Sequence, residues 1–251
     1  MDDLKRIMSS DFKIWKSQLA IYSKENLEKI LSNFCKICGP RFFFMDYYQG
    51  RLILDTSTPS SSILGGYSKE FVEEKGFGFF EFLLDLSERE WMSKVNDAAY
   101  DVFLATPIEL REDWVLTFDL AIKRIDGHKV VLRHRLIPYK LCDKGHLWIS
   151  LCYAIISGQR KIGNPTMFNK KTNEHFEYIN GRFVKKEQID LSDDERLILD
   201  HMIKGFTGEH IAMALNISES SLRRKKYLLY QRVGVNTNAE LVHWAHTNGI
   251  I

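Results

Sequence analysis

Cysteine is scarce in this chain: Cys35, Cys38, Cys142 and Cys152 are the four thiols among 251 residues. That is too few for a disulfide scaffold at this length, and reduced thiols in a cytosol are expected. Cys35 and Cys38 have C-x-x-C spacing, but nine residues separate Cys142 from Cys152. A closed tetrathiolate site needs a second close pair, so no metal site is read. Long apolar runs are also missing. Phe77 to Leu86, broken by Glu81, and Leu147 to Ile156 fall well short of the ~20 residues that cross a bilayer. No apolar stretch or small-residue cleavage site follows Met1-Asp2-Asp3-Leu4-Lys5-Arg6, so no secretory signal is read. The expectation is a cytoplasmic protein with no membrane partner. Charge of one sign is not in excess: 35 Lys+Arg against 33 Asp+Glu leaves +2, with 45% hydrophobic and 27% charged residues. This ordinary composition excludes disorder, collagen and coiled coil, and the length fits one large domain or two small ones.

Catalytic signatures are absent as well. Neither G-x-S-x-G nor a glycine-rich GK[ST] loop occurs, so the chain reads as no enzyme, with no catalytic residues and no cofactor. All eight histidines lie at or after His128, beyond the helical stretch that would supply a proximal haem ligand. Residues 41–141 hold no cysteine for a flavin adduct.

What is present begins with helix. Over the first 38 residues, Phe12, Trp15, Leu19 and Tyr22, then Leu27, Ile30, Leu31, Phe34 and Ile37 recur at spacings of three and four. Ser23 as N-cap, with a Tyr22–Leu27 staple, divides this segment into two helices, and Gly39-Pro40 ends the second. From Arg41 the pattern changes to strands, with Gln49-Gly50 as a hairpin turn between Arg41–Tyr48 and Arg51–Asp55. Short helical pieces follow from about Ser60 to Pro107, the longest from Ser87 to about Leu104. Then Trp114, Leu116, Phe118, Leu120 and Ile122 alternate with other residues at the period of a half-buried strand. Turns at Asp126-Gly127 and Asp143-Lys144-Gly145 carry this into an antiparallel meander ending at Ile156.

This order predicts an α+β unit with helices on one face of a five-stranded antiparallel sheet. Gly50-Arg51-Leu52-Ile53-Leu54, Ile63-Leu64-Gly65-Gly66-Tyr67-Ser68-Lys69-Glu70-Phe71 and Phe80-Glu81-Phe82-Leu83 make residues 41–157 resemble a PAS sensor domain. The glycine of the Leu-Gly-Tyr-Ser phrase is doubled, and Leu84-Asp85-Leu86-Ser87 stands where PAS domains often carry His-Pro. The resemblance implies a sensory or dimerisation domain with a possible small-molecule ligand; the residues that would hold one are unknown. Phe42–Phe44, Tyr47, Tyr48, Phe77, Phe79, Phe80 and Phe82 can line a ligand cavity or form ordinary core, and core is the preferred reading. His134, between Arg133 and Arg135, can face the same pocket, though a hydrogen-bonded core or surface histidine is preferred. Residues 1–40 thus read as N-terminal helices and 41–157 as the PAS-like domain. Residues 158–188 read as a linker containing a small ribbon turned by Asn180-Gly181.

Residues 189–251 spell out their helix starts. Ser192-Asp193-Asp194-Glu195 and Thr237 to Glu240 are capping boxes, while Thr207 and Ser218 are N-caps with Phe206–Ile211 and Ile217–Leu222 staples. Between the second and third helices lies only Asn216-Ile217-Ser218, the short connection of a helix-turn-helix. Residues 191–251 hold seven Lys+Arg and seven Asp+Glu, yet four of the positives are consecutive, Arg223 to Lys226. A short basic helix so presented suits the DNA major groove.

Leu191-Ser192, Glu195, Leu199, Gly205, Thr207, Ile211-Ala212, Leu215, Ile217-Ser218, Leu222, Gly234-Val235 and Glu240 make this segment resemble the LuxR-type DNA-binding domain, an all-α four-helix helix-turn-helix. Asp193-Asp194 replaces that family's usual Pro-Arg, Glu209-His210 its Lys-Glu, and Lys225-Lys226 its His and apolar residue. The resemblance implies a transcription regulator that binds double-stranded DNA, with Arg223, Arg224 and Tyr227 at base edges. Ser221, Lys225, Lys226 and Thr207 would reach the phosphates. A net charge of zero on this segment favours two copies per duplex, so a homodimer on an inverted repeat is expected. The rival readings are an enzyme, or a protein-interaction module, with an incidental basic C-terminal domain. Acyl-homoserine lactone sensing is not expected, because the Trp/Tyr/Asp/Trp pattern is missing, and hairpin-connected strands exclude a phosphoryl receiver.

Overall fold

The computed structural model describes residues 4–55, 62–158, 162–186 and 189–247. The expected helical start at Ser60, and the ends of the expected segments at residues 1–3, 187–188 and 248–251, lie outside them. The chain divides into two units, Met1–Lys186 and Glu187–Ile251. None of the described helices is long and apolar enough to cross a membrane.

The first unit starts with α1 (Lys5–Met8), α2 (Lys16–Ile21) and α3 (Lys24–Cys38). The two helices expected here are three, because residues 11–15 are not helical. Asp143 N–H donates to the Lys13 carbonyl at 3.1 Å, and the Asp143 carboxylate accepts from Trp15 Nε1 and from Gln18 Nε2. The first of these bonds uses a backbone carbonyl that a continuous helix would need, so the three-and-four spacing of Phe12 and Trp15 misleads. Ser23 does cap α3, accepting from Asn26 N–H. Leu27, Leu31 and Cys35 are the buried stripe of α3, and the two leucines pack with Phe44, Ile53 and Trp148. Burying each of the two leucines stabilises the fold by about 1.5–3 kcal/mol.

Strands β1 (Phe42–Asp46) and β2 (Arg51–Leu54) form the first hairpin. Three helices follow, α4 (Lys69–Lys75), α5 (Phe80–Leu83) and α6 (Leu86–Ala105), and then β3 (Trp114–Lys123), β4 (Lys129–Leu141) and β5 (Leu147–Ile156). Between α4 and α5 the chain passes so close to the first hairpin that a Cβ on Gly76 would lie 2.5 Å from the Gly50 carbonyl oxygen. At φ +51° only glycine is comfortable there. The alternating face of β3 is buried as its period requires, against α6 and the inner faces of β1 and β2.

Among the described residues the sheet has eight strands rather than five, in the order β2-β1-β5-β4-β3-β6-β7-β8, every neighbouring pair antiparallel. The additional strands are β6 (Gly163–Asn169), β7 (Glu174–Ile179) and β8 (Arg182–Lys185). Gly163, Asn164 and Pro165 carry loop chemistry, but pairing with β3 overrides it: Pro165, Met167 and Asn169 turn inward and the residues between them do not. The Asn180-Gly181 turn, with both residues at positive φ, joins β7 to β8, and Phe183 completes the main core.

The second unit is all helix: α7 (Asp193–Ile203), α8 (Gly208–Ala214), α9 (Glu219–Val233) and α10 (Asn238–Thr247). Leu191, Leu199, Leu229, Leu241 and Ala245 form one core, and Ile198, Ile211, Ala212 and Leu222 another.

Candidate nucleic-acid interface

Helix α9 is set by its ends. The Ser218 hydroxyl accepts from Ser221 N–H at 3.2 Å, and Gly234 closes the helix in the left-handed conformation. Asn216, at φ +53°, turns the chain from α8 toward α9. Leu222 and Leu229 lock one side of α9 into the domain. On the opposite side Arg223, Tyr227 and Gln231 stand four residues apart, with Arg224 beside them, and all four are exposed. Leu228, four residues beyond Arg224, is 55% exposed on the edge of this face, where an apolar side chain gives no charge signal in the sequence.

The remaining expected contacts are placed differently. Lys225 Nζ lies 2.8 Å from Asp194 Oδ2, and Arg232 Nη2 lies 2.6 Å from Glu195 Oε2. Two turns of α9 are thereby tied to the first turn of α7, and Lys225 leans to that side. Lys226 is half-buried next to the locked side, its ammonium 5.9 Å from the Tyr230 ring centroid, and burial lowers its pKa. Ser221 and Ser220 each share a hydrogen bond with the Ser218 hydroxyl. Thr207 is exposed and caps α8, accepting from His210 N–H at 3.4 Å, which leaves its own O–H proton available to an acceptor. Glu195 reaches back to Ser192 N–H and Glu240 to Thr237 N–H, completing both capping boxes.

Among the described residues of the first unit are partly open cavities of about 50 and about 20 Å³, with Asn96 and Leu136 in the walls of both. No Lys, Arg, Asp or Glu lines either one. His134 borders the smaller cavity, stacked on Phe118, with Nδ1 3.8 Å from Cys152 Sγ. Its Nε2 is buried and has no hydrogen-bond partner among the described residues. Burial holds this imidazole neutral, with its pKa pushed down to about 4. The aromatic cluster read from sequence is divided: Phe43 and Phe80 border this cavity, Tyr47 borders the larger one, and Phe44 packs on the other face of the sheet.

A capped helix pair joined by a short turn, with the second helix presenting arginines, defines the class of helix-turn-helix DNA-binding domains. More specifically, residues 190–245 match the GerE family, "Bacterial regulatory proteins, luxR family", and the second unit is a LuxR-type helix-turn-helix domain. Among solved structures, the chain is similar to a Vibrio cholerae VqmA dimer determined in the absence of target DNA (14% identity, 89% of this chain and 88% of that one, TM-score 0.33). It is also similar to a Vibrio cholera VqmA–ligand–DNA complex (14% identity, 87% and 86%, TM-score 0.32). Against VqmA bound to DPO, 15% identity extends over 55% of this chain, with a TM-score of 0.23, and the chain spans about half of that structure's length, 52%. No curated protein sequence matches the chain.

Proposed function

We propose that this protein is a cytoplasmic transcription regulator in which the first unit responds to a small molecule and governs DNA reading by α9. The observation that carries this is the LuxR-type domain with Arg223, Arg224 and Tyr227 together on an exposed face of α9. In the major groove these three side chains read base edges, since guanidinium forks match guanine and the tyrosine offers a ring and a hydroxyl. Ser221, Lys225 and Thr207 hold phosphates, and Lys226, half-buried over Tyr230, is the weakest contact of the set.

The strand order β2-β1-β5-β4-β3, with α4 to α6 between β2 and β3, supports the PAS-like reading, to which β6–β8 are an addition. A neutral, mostly apolar interior with one unpartnered imidazole nitrogen supports an uncharged ligand rather than an ionic one. Two copies on an inverted repeat offset the low charge of a single DNA-binding unit, so the working form is a homodimer. The test is selection of an operator from random duplexes by the purified protein, followed by sedimentation of the complex. A selected site bound by two chains is the expected result; no sequence enrichment, or one chain per site, refutes the corresponding part.

A further inference from the structure

Leu4, immediately before α1, and Ile7, within it, project into the first unit, Leu4 into the wall of the smaller cavity and Ile7 into that of the larger. Both are almost fully buried. Yet α1 is a single turn of four residues, and a helix that short has no stability of its own in water. It is held by these two side chains, by Met8, which packs against the same core, and by polar ties to α6. Arg6 bonds Asp101 at 2.5 Å and the Asp97 carbonyl at 3.2 Å, and Ser10 shares a hydrogen bond with the Tyr100 hydroxyl at 2.8 Å. Arg6 and Asp101 are well exposed, so their ion pair is weak.

Behind this strap the space is too small for its chemistry. Cavities of about 50 and 20 Å³ admit water, whereas a dry cavity that takes up a molecule such as benzene measures roughly 150 Å³. Native interiors pair nearly all buried polar atoms, but His134, which lines the smaller cavity, has no partner for its Nε2 among the described residues. Asn96, 6% exposed, borders both cavities. Leu4 and Ile7 form part of the walls of these two cavities.

We infer that residues 4–10 are a resident plug: Leu4 and Ile7 occupy the volume of an uncharged, largely apolar ligand, which binds beside His134 and Asn96 only when the strap lifts. This rests on the reading of the first unit as a small-molecule sensor. Binding and strap release are then one linked equilibrium, and the apparent affinity is the intrinsic affinity reduced by the fraction of molecules with the strap open. Weakening the strap must therefore tighten binding, the reverse of what losing a ligand contact does.

The experiment uses the full chain with three probes of similar size: phenol, toluene and benzoate. Calorimetry gives affinity, imidazole 15N resonances report on His134, and hydrogen exchange reports on amides 7–12. Phenol is expected to shift the His134 resonance and to strip protection from the strap amides. Toluene should release the strap with a smaller shift at His134, and benzoate should do neither. Ile7→Ala should bind phenol at least about tenfold more tightly, by enlarging the site and favouring the open strap. Arg6→Ala, at an exposed position outside the core, should gain roughly two- to fivefold. If phenol shifts His134 while the strap amides keep their protection and Arg6→Ala gains nothing, the plug is refuted and the small-molecule reading stands. If phenol leaves His134 unmoved in both the parent and Ile7→Ala, the site and its plug fall together.

Discussion

Replacing Asp194 by Asn is expected to strengthen DNA binding while slightly weakening the fold. The Asp194 carboxylate lies 2.8 Å from Lys225 Nζ, with the two side chains 50% and 41% exposed. In water two unit charges at that distance attract by about 1.5 kcal/mol, and salt screening and side-chain ordering reduce an exposed pair to about 1 kcal/mol or less. Removing the carboxylate takes residues 191–251 from seven positives and seven negatives to seven and six, a net charge of +1. It also frees an ammonium at the edge of the basic face. One added phosphate contact steepens the dependence of log K on log salt by about 0.9, and affinity at fixed salt rises up to about fivefold. Asp194 also sits in the first turn of α7, where negative charge is favourable, so unfolding stability falls by up to about 1 kcal/mol. Fluorescence anisotropy on the selected operator across a salt series, alongside urea unfolding, measures both. In a Lys225→Ala background the same change should leave the salt slope unaltered. A single variant whose slope equals the parent's would show that Lys225 does not reach the phosphates.

Arg223→Ala and Arg224→Ala should each cost about 1–3 kcal/mol on the selected operator, relaxing preference at one base pair while leaving the unfolding midpoint unchanged; equal binding by both variants refutes the base-edge roles. Gly76→Ala should destabilise the first unit by about 1–3 kcal/mol, because it adds a strained φ to a 2.5 Å approach to backbone; a urea midpoint equal to the parent's would refute this. His134 titrates near 4 when folded against 6.5 in its ordinary state. Between those values the unfolded chain binds the extra proton, so this contribution is fully present above pH 6.5 and is lost as pH falls toward 4. The loss amounts to at most about 3 kcal/mol, and His134→Phe should flatten that part of the stability profile measured by urea unfolding.

Helix starts were the most legible part of the sequence, since a cap is local chemistry: Ser23, Ser192, Thr207 and Ser218 all accept from the backbone N–H three residues ahead. The meander was legible through its period of two. Strand β6 was not, because its Gly-Asn-Pro start favours a loop and only the open edge of β3 makes it a strand. In α9 the spacing separated Arg223, Arg224 and Tyr227 from the buried stripe. It could not show that Asp194, 31 residues away in sequence, holds Lys225, or that Tyr230 shelters Lys226. Cavities bounded by side chains from opposite ends of the unit leave no local signature at all.

The attachment of β6 to β3 decides where this protein can be divided for study. A fragment stopped at residue 157, where the sequence pattern places the end of the sensor, would strip β6–β8 from the sheet and remove Met167 and Phe183 from the core. It would leave β3, ten residues long, as a bare edge with its backbone amides and carbonyls open to a second molecule. The intact sheet ends instead on β8, four residues long and bearing Arg182 and Lys185, which is short and charged enough to discourage sheet-to-sheet addition. Cleavage after Lys186 should therefore yield a soluble sensor, and cleavage at 157 an aggregating one.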